Sequence, residues 1–358
     1  MHRLHRLTSV ISAVLFVVLS ARGAAPVAAT APQRQELLGA ARSDAIDQLQ
    51  ALRHALRTRL SGLGEATARN HTESANKSGH RSSSGSYTIR FAFDERVSML
   101  RVASDDARGG AVTARLRSDH EEVLYHRDTA RGSRGEPAGR VWSIDRWSDR
   151  AAVPQGRPVA RPGFSGGGTD VWTYSNIVGV PGHVDEAQLI RDARRGTFGV
   201  FREGQNLVFS EEDVSARFGK SSQEFVFSLA LGGVPLRAEY HTGENQSQVY
   251  TIDWRLTPQG DVVPARYTVR VAEMNAESTA WHLVQTDVAF QQFELGPVPP
   301  ASLSVRALGG PEGIPPGTSV IDLGGQQLGK PPPSFIYSEP AWKRMFGEDP
   351  AQELGTSP

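Results

Sequence analysis

The chain has no cysteine among its 358 residues. Disulfide bonds and thiolate metal sites are therefore excluded, and so is a lipid anchor on an N-terminal cysteine. A chain of this length can still bury most of its apolar surface on folding. We therefore predict a fold that is stabilised by its hydrophobic core alone.

An excess of charge of either sign is also missing. Lys plus Arg and Asp plus Glu both number 39. Proteins that bind nucleic acids usually carry a basic patch or stripe, so this balance argues against a nucleic-acid partner. Only four of the basic residues are lysines, and we attribute the excess of arginine to coding bias rather than to phosphate binding.

Long hydrophobic runs are absent beyond the N-terminus. The one such run, residues 7–21, follows two arginines and precedes a stretch of small residues, an order typical of a signal peptide. The alternative is a membrane anchor, but a spanning helix needs about 20 apolar residues and this run is shorter. We predict a signal peptide over residues 1–29, cleaved after Ala29, although cleavage after Gly23 or Ala31 also fits the pattern. The mature chain is expected in the periplasm or secreted, with no transmembrane span.

An amphipathic helix is predicted over residues 32–63. Its apolar residues recur three or four positions apart and therefore share one helical face: Ala45, Leu49, Leu52, Leu56, Leu60 and Leu63. Arg53, Arg57 and Arg59 lie off that face. We expect the face to pack against the rest of the protein, with a coiled-coil partner as the alternative. Residues 70–86 are rich in Ser and Gly and are predicted to be a polar linker, so that residues 30–85 comprise helix and linker.

Residues 86–323 are predicted to form a mainly antiparallel β domain. From Tyr87 onwards, apolar and polar side chains alternate with the period of two that is typical of half-buried strands. A short helix at 184–194, a loop-rich insertion at 128–170 and a Pro/Gly-rich, poorly ordered tail at 324–358 are also expected. The predicted strands lie at 87–93, 97–100, 111–117, 122–127, 197–202, 206–210, 224–231, 234–240, 248–256, 264–272 and 281–293.

One short motif suggests catalysis, but its context argues against it. Residues 163–167 match the nucleophile pattern G-x-S-x-G, with Ser165 at its centre. That motif requires a strand before the serine and a helix after it, whereas here glycine, proline and threonine surround it. We predict a Gly-rich loop, and with no metal or cofactor motif present we expect a protein that is not an enzyme.

The order of elements resembles a known family. A signal peptide and a long helix are followed by the strand SYTIRFAFDERVSMLRV, the hairpin of Trp254 to Arg266, and the ending GIPPGTSVID of Gly313 to Asp322. This order is similar to exported bacterial proteins related to periplasmic outer-membrane lipoprotein carriers of the Lol type. The resemblance implies an α+β fold: a curved, open half-barrel of antiparallel strands, covered by a long N-terminal helix and a short internal helix, with a cavity for acyl chains.

A candidate ligand site follows from the aromatic residues of the predicted strands. In the strand at 248–256, Tyr250, Ile252, Trp254 and Leu256 are predicted to share the apolar face. The candidate cavity residues are Phe91, Phe227, Tyr250, Trp254 and Tyr267. Their simplest role is core packing; the functional alternative is a cavity for a lipid or a lipoprotein acyl chain. Two functions stay open: a monomeric carrier of an apolar ligand, or a cell-envelope interaction protein with a filled core.

Overall fold

The protein is represented by a computed structural model. The structure describes twelve ranges of the chain: 33–58, 61–76, 79–104, 112–118, 121–128, 141–147, 179–181, 185–215, 219–243, 245–274, 280–323 and 331–352. The predicted signal peptide lies outside these ranges, as do Ser165 and most of the predicted insertion 128–170, although part of that insertion is a strand.

Three helices and sixteen strands are described. The helices are α1 Gly39–Arg57, α2 Glu186–Arg195 and α3 Glu339–Phe346. The strands are β1 Arg34–Glu36, β2 Gly62–Asn76, β3 Gly79–Phe93, β4 Ser98–Ser104, β5 Val112–Arg117, β6 Glu122–Asp128, β7 Val141–Trp147, β8 Gly199–Glu203, β9 Asn206–Ser215, β10 Gly219–Ser228, β11 Val234–Thr242, β12 Gln246–Leu256, β13 Val262–Met274, β14 Trp281–Leu295, β15 Ser319–Asp322 and β16 Ser334–Ile336. Two short 3-10 segments, Pro300–Leu303 and Val305–Glu312, follow β14.

All sixteen strands belong to one sheet. Their order is β1-β8-β9-β10-β11-β12-β13-β14-β2-β3-β4-β5-β6-β7-β15-β16, so β1 and β16 are its two edges. Every neighbouring pair is antiparallel except β7 and β15, which are parallel. The predicted fold class is therefore confirmed: a mainly antiparallel α+β protein built on an open, curved half-barrel.

Helix α1 is shorter than predicted at both ends. Residues 34–36 form the edge strand β1 and pair with β8, and Leu63 belongs to β2. Backbone pairing with neighbouring strands decides both ends, because it satisfies peptide groups that a continued helix would have satisfied internally. The prediction that Arg53 lies off the packed face is wrong, since Arg53 is 2% exposed.

Helix α2 agrees closely with the prediction. The Asp185 side chain accepts a hydrogen bond from the Ala187 N–H at 3.0 Å, which caps its N-terminus. Gly196 ends the helix with a φ of 96°, a left-handed conformation that glycine adopts without steric cost. Leu189, Ile190 and Ala193 are buried, so this short helix contributes one apolar face to the core.

The prediction of a polar linker at 70–86 is wrong, because its described residues form strands. Strands β2 and β3 form a long hairpin that stays paired from Gly62 with Phe93 to Asn76 with Gly79. Strand β14 pairs with the other edge of β2 as far as Ala75. Because β2 has hydrogen-bonded neighbours on both sides, its Ser- and Thr-containing half is held as a strand despite its weak strand propensity.

The predicted tail at 324–358 is also ordered differently from expectation. Residues 331–352 include β16 and α3, and Trp342 of α3 is fully buried. Its ring packs against Phe346 and Tyr337, with ring centroids 4.6 Å and 6.2 Å apart. The short helix α3 is therefore tied to the rest of the protein by one large aromatic side chain.

Leu256 is not buried with the apolar face of β12. A bulge opposite Asp253 and Trp254 shifts the pairing with β13 by one residue, and bulges locally increase strand twist. Leu256, at the end of the strand, is 61% exposed. The predicted alternation therefore holds for Tyr250 and Ile252, which are buried, but not for the strand's last residue.

Candidate functional site

One face of the sheet is continuous across most of its strands. Directly paired residues of antiparallel strands lie on the same face, and the pairing runs from Phe225 through Ala238, Tyr250 and Val269 to Thr286. A parallel row runs from Ile252 through Tyr267 and Val288 to Ala68 and Tyr87. We call this the inner face; it is the face that α1 and α2 cover.

Helices α1 and α2 cover the β8–β12 part of the inner face. Ala45, Ile46 and Leu49 of α1 pack with Leu189 and the aromatic residues of β9 and β10. Farther along the helix, Leu56 packs instead against the cluster around Phe91. The two helices thus lie over one side of the half-barrel, and the last turn of α1 reaches the other side.

Arg53 holds the two helices and the sheet together. Its guanidinium donates to both carboxylate oxygens of Glu186, at the start of α2, and at 2.9 Å to the Gly233 carbonyl. The same group lies 5.3 Å from the centre of the Phe227 ring. Arg57 donates a third hydrogen bond to Glu186, at 2.7 Å. A buried charge is tolerated here because it is paired and fully hydrogen-bonded.

The five predicted cavity residues divide into two groups. Phe91, Phe227 and Tyr250 are no more than 2% exposed and are integrated into the packed core. Trp254 and Tyr267 are partly buried, and both pack against the cluster that contains Phe91. The indole N–H of Trp254 donates to the Pro235 carbonyl at 2.7 Å. Only Trp254 and Tyr267 therefore offer side-chain surface beyond the core.

These two residues are part of a larger rim. Partly exposed side chains from six elements pack against the buried cluster of Phe91, Phe290 and Phe293. This apolar rim consists of Leu56, Tyr87, Leu100, Trp254, Tyr267 and Leu295. Leu100 faces Phe91 directly across the β3–β4 pair. The sequence pattern missed Leu100 because its out-of-phase neighbour Met99 is also apolar, which hides the period of two.

Small residues let the aromatic rings lie flat beneath the rim. A Cβ at Gly64 would come within 2.5 Å of the Phe91 ring, and one at Gly62 within 2.9 Å of the Phe93 ring. Both glycines belong to β2, next to the strand that holds the two phenylalanines. The floor of the inner face at β2 and β3 is thus formed by aromatic rings laid across a neighbouring strand, with Ala66 and Ala68 beside them.

A ladder of aromatic rings crosses the inner face next to the rim. Successive ring centroids from Phe225 to Tyr240, Tyr250 and Tyr267 are 5.5, 5.9 and 6.4 Å apart. Tyr240 was not among the predicted site residues; its alternation with Ala238 on β11 is the signal that could have found it. The first contact is edge-to-face, the geometry that aromatic pairs favour.

Burial sets the protonation of the ladder's hydroxyl groups. It raises the pKa of Tyr240, Tyr250 and Tyr267 above the ordinary value for tyrosine, and for Tyr240 and Tyr267 the proximity of the other phenols raises the pKa further. All three side chains therefore stay neutral at physiological pH and can donate a hydrogen bond. The surroundings disfavour negative charge at this place.

The opposite face carries a second core around β4–β7. Here Ala92 pairs with Met99, Met99 with Leu116 and Leu116 with Val123, on the face away from α1. The two 3-10 segments and α3 cover these residues with Leu303, Leu308 and Trp342. Because β3 and β4 contribute to both cores, the sheet is buried on both faces at its centre.

The described ranges contain no group of three or more His, Asp or Glu side chains that could hold a metal ion. In the same ranges, no helix has the length and apolar character needed to span a bilayer.

Comparisons with known proteins find similarity to solved structures at low sequence identity. No protein-family model matches the chain, and no curated protein matches its sequence. Among solved structures, the chain is similar to a domain from Vibrio parahaemolyticus named as an outer membrane lipoprotein-sorting protein, at 10% identity and a TM-score of 0.34, over 75% of this chain and 99% of that one. It is also similar to a DUF1329 family protein from Desulfovibrio piger, at 8% identity and a TM-score of 0.33, over 74% and 98% of the two chains.

Proposed function

We propose that this protein is an exported cell-envelope protein that binds an apolar ligand, a lipid or a lipoprotein acyl chain, on the inner face of its half-barrel. The observation that carries the proposal is the apolar rim. Leu56, Tyr87, Leu100, Trp254 and Tyr267 come from five different elements and keep part of their apolar surface accessible around one buried cluster.

Physical chemistry favours a ligand at such a rim. Ligand sites are concave, mostly apolar and furnished with a few well-placed polar groups. Each Å² of apolar surface removed from water contributes roughly 25 cal/mol, so an acyl chain laid along the rim would gain binding free energy without any charged contact. We propose that the protein acts as a monomer and by binding, not by catalysis.

The complete burial of Phe91, Phe227 and Tyr250 favours a second candidate function. A core filled by its own side chains would suit a non-enzymatic envelope protein that interacts through its surface. Close-packed interiors leave few voids larger than a water molecule, so ligand binding separates the two candidates directly.

The test is a calorimetric titration of the mature chain with a soluble fatty-acid or lipopeptide probe. We expect saturable binding with a negative heat-capacity change, the robust signature of apolar burial. Leu100→Asp, which puts a charge into the rim, should abolish binding while circular dichroism shows a folded protein.

Leu256→Asp is the matched control, because Leu256 is 61% exposed and belongs to no core cluster. It should bind like the wild type. Absence of saturable binding by the wild type would reject the carrier function and leave the interaction protein.

A further inference from the structure

Three tyrosines occupy one diagonal of the inner face. Tyr240, Tyr250 and Tyr267 belong to the neighbouring strands β11, β12 and β13. Tyr250 pairs with Ala238 on one side and with Val269 on the other, and the other two tyrosines are each two residues from those partners. Diagonal neighbours of this kind remain within reach of aromatic side chains, and the ring centroids are 5.9 and 6.4 Å apart.

The three hydroxyl groups differ in their hydrogen bonds. Tyr240 donates to the Pro181 carbonyl at 2.5 Å, and Tyr250 donates to the Gln248 side-chain oxygen at 3.1 Å. Within the part of the chain that the structure describes, the Tyr267 hydroxyl has no hydrogen-bond partner. The Tyr267 side chain is only partly buried, so its hydroxyl can donate to an acceptor that a ligand brings, a net gain of about one hydrogen bond.

The surroundings restrict what that acceptor can be. Val269, Val271 and Val284 pack around the ladder in the same cluster as Tyr250, and burial raises the pKa of the tyrosines because it penalises negative charge. An ionised carboxylate would meet the same penalty. An uncharged carbonyl oxygen accepts a hydrogen bond without it.

We propose that the Tyr240–Tyr250–Tyr267 diagonal is a carbonyl subsite, in which the Tyr267 hydroxyl donates to the uncharged ester or amide carbonyl of an acyl ligand. This rests on the proposed apolar binding function and specifies its ligand class. Tyr267 belongs to the ladder and to the apolar rim at once, so a ligand whose carbonyl meets this hydroxyl can lay its chain against Trp254 and Leu100.

The test uses displacement of the neutral fluorophore N-phenyl-1-naphthylamine from the mature protein. The competitors share one chain length: methyl laurate, laurate and dodecane. We expect methyl laurate to compete better than either of the others. Tyr267→Phe removes only the hydrogen-bond donor. It should lower the affinity for methyl laurate about 2- to 12-fold, the equivalent of one net hydrogen bond, and leave the affinity for dodecane unchanged.

Tyr337→Phe is the matched control. Tyr337 packs in the core on the other face, beside Trp342, so its replacement should leave all three competitors unchanged. A short-chain diacyl phospholipid and a diacylated lipopeptide then distinguish the source of the acyl group. Whichever of them displaces the fluorophore should lose affinity in Tyr267→Phe.

The possible outcomes distinguish failure of the carbonyl-subsite proposal from failure of the proposed binding function. If Tyr267→Phe lowers the affinities for methyl laurate and dodecane equally, or changes neither, the proposal of a carbonyl subsite is wrong, although apolar binding stands. Preference for laurate over its methyl ester would also overturn the subsite. If neither the fluorophore nor any competitor binds to the wild type, the proposed function itself fails.

Discussion

At the scale of single residues, the ion pair of Arg53 and Glu186 is the most exacting feature of the core. Arg53 is 2% exposed and Glu186 13%. Two desolvated charges contribute little net stability as a pair, but removing one partner leaves the other uncompensated. The pair therefore specifies how α1 and α2 meet more than it adds to the free energy of unfolding.

Arg53→Met should lower the free energy of unfolding by about 3–5 kcal/mol, because Glu186 then keeps a buried charge. Arg57→Met is the matched control: Arg57 pairs with the same carboxylate but is 43% exposed, so its loss should cost at most about 1 kcal/mol. Urea unfolding measures both. Adding Glu186→Leu to Arg53→Met should restore most of the stability. Equal losses in the two single variants would show that the Arg53 pair is solvated in solution.

At the scale of elements, the β2–β3 hairpin and α3 show how neighbours override local sequence. Residues 70–86 have the composition of a linker, yet pairing with β14 and within the hairpin makes them strand. Helix α3 has only eight residues and would be unstable alone. Its Trp342 packs against Tyr337 and Phe346, and Arg146 lies 3.8 Å from the centre of the Phe346 ring.

Trp342→Ala should therefore destabilise the protein by about 3–5 kcal/mol, the usual cost of deleting a fully buried aromatic side chain. Met345→Ala on the same helix is the control, since Met345 is 47% exposed, and it should change stability by less than about 0.5 kcal/mol. Equilibrium denaturation, followed by the far-ultraviolet circular dichroism of the backbone, compares the stabilities of the two variants. Similar midpoints would mean that α3 is not docked on the sheet.

At the scale of the whole molecule, one sheet is shared by two cores on opposite faces. Helices α1 and α2 cover the inner face from β8 to β12, and the 3-10 segments with α3 cover the other face from β4 to β7. Strands β3 and β4 belong to both sides, as Phe91 and Ala92 show. The apolar rim lies beside the part of the inner face that α1 and α2 cover. The candidate binding face is therefore the part that these helices leave partly exposed.

Export is a prediction about the whole molecule. The basic start, the apolar run at 7–21 and the small residues after it predict a mature chain that begins at Thr30. N-terminal sequencing of the protein recovered from the periplasm or the medium checks this. An intact Met1 in a washed membrane fraction would show that the run at 7–21 anchors the chain instead.

The local patterns of the sequence determined the fold class, α2 and most strands after residue 196. These elements show a clear period of two or 3.6 with matching caps, and each pattern is a property of adjacent residues. The same reasoning identified Trp254 and Tyr267, which belong to the apolar rim. It placed Arg53 on the wrong face, because helical spacing records hydrophobicity and not the partner that neutralises a buried charge.

Only the tertiary structure decided which strands neighbour one another. That order turned the Ser-rich segment 70–86 into a hairpin, docked the Pro-rich C-terminal segment through Trp342, and buried Phe91, Phe227 and Tyr250 while leaving the rim partly exposed. It also aligned Tyr240, Tyr250 and Tyr267 on one diagonal. The physical reason is that strand pairing and side-chain burial join residues far apart in the chain, and a period along the sequence contains no information about the register between them.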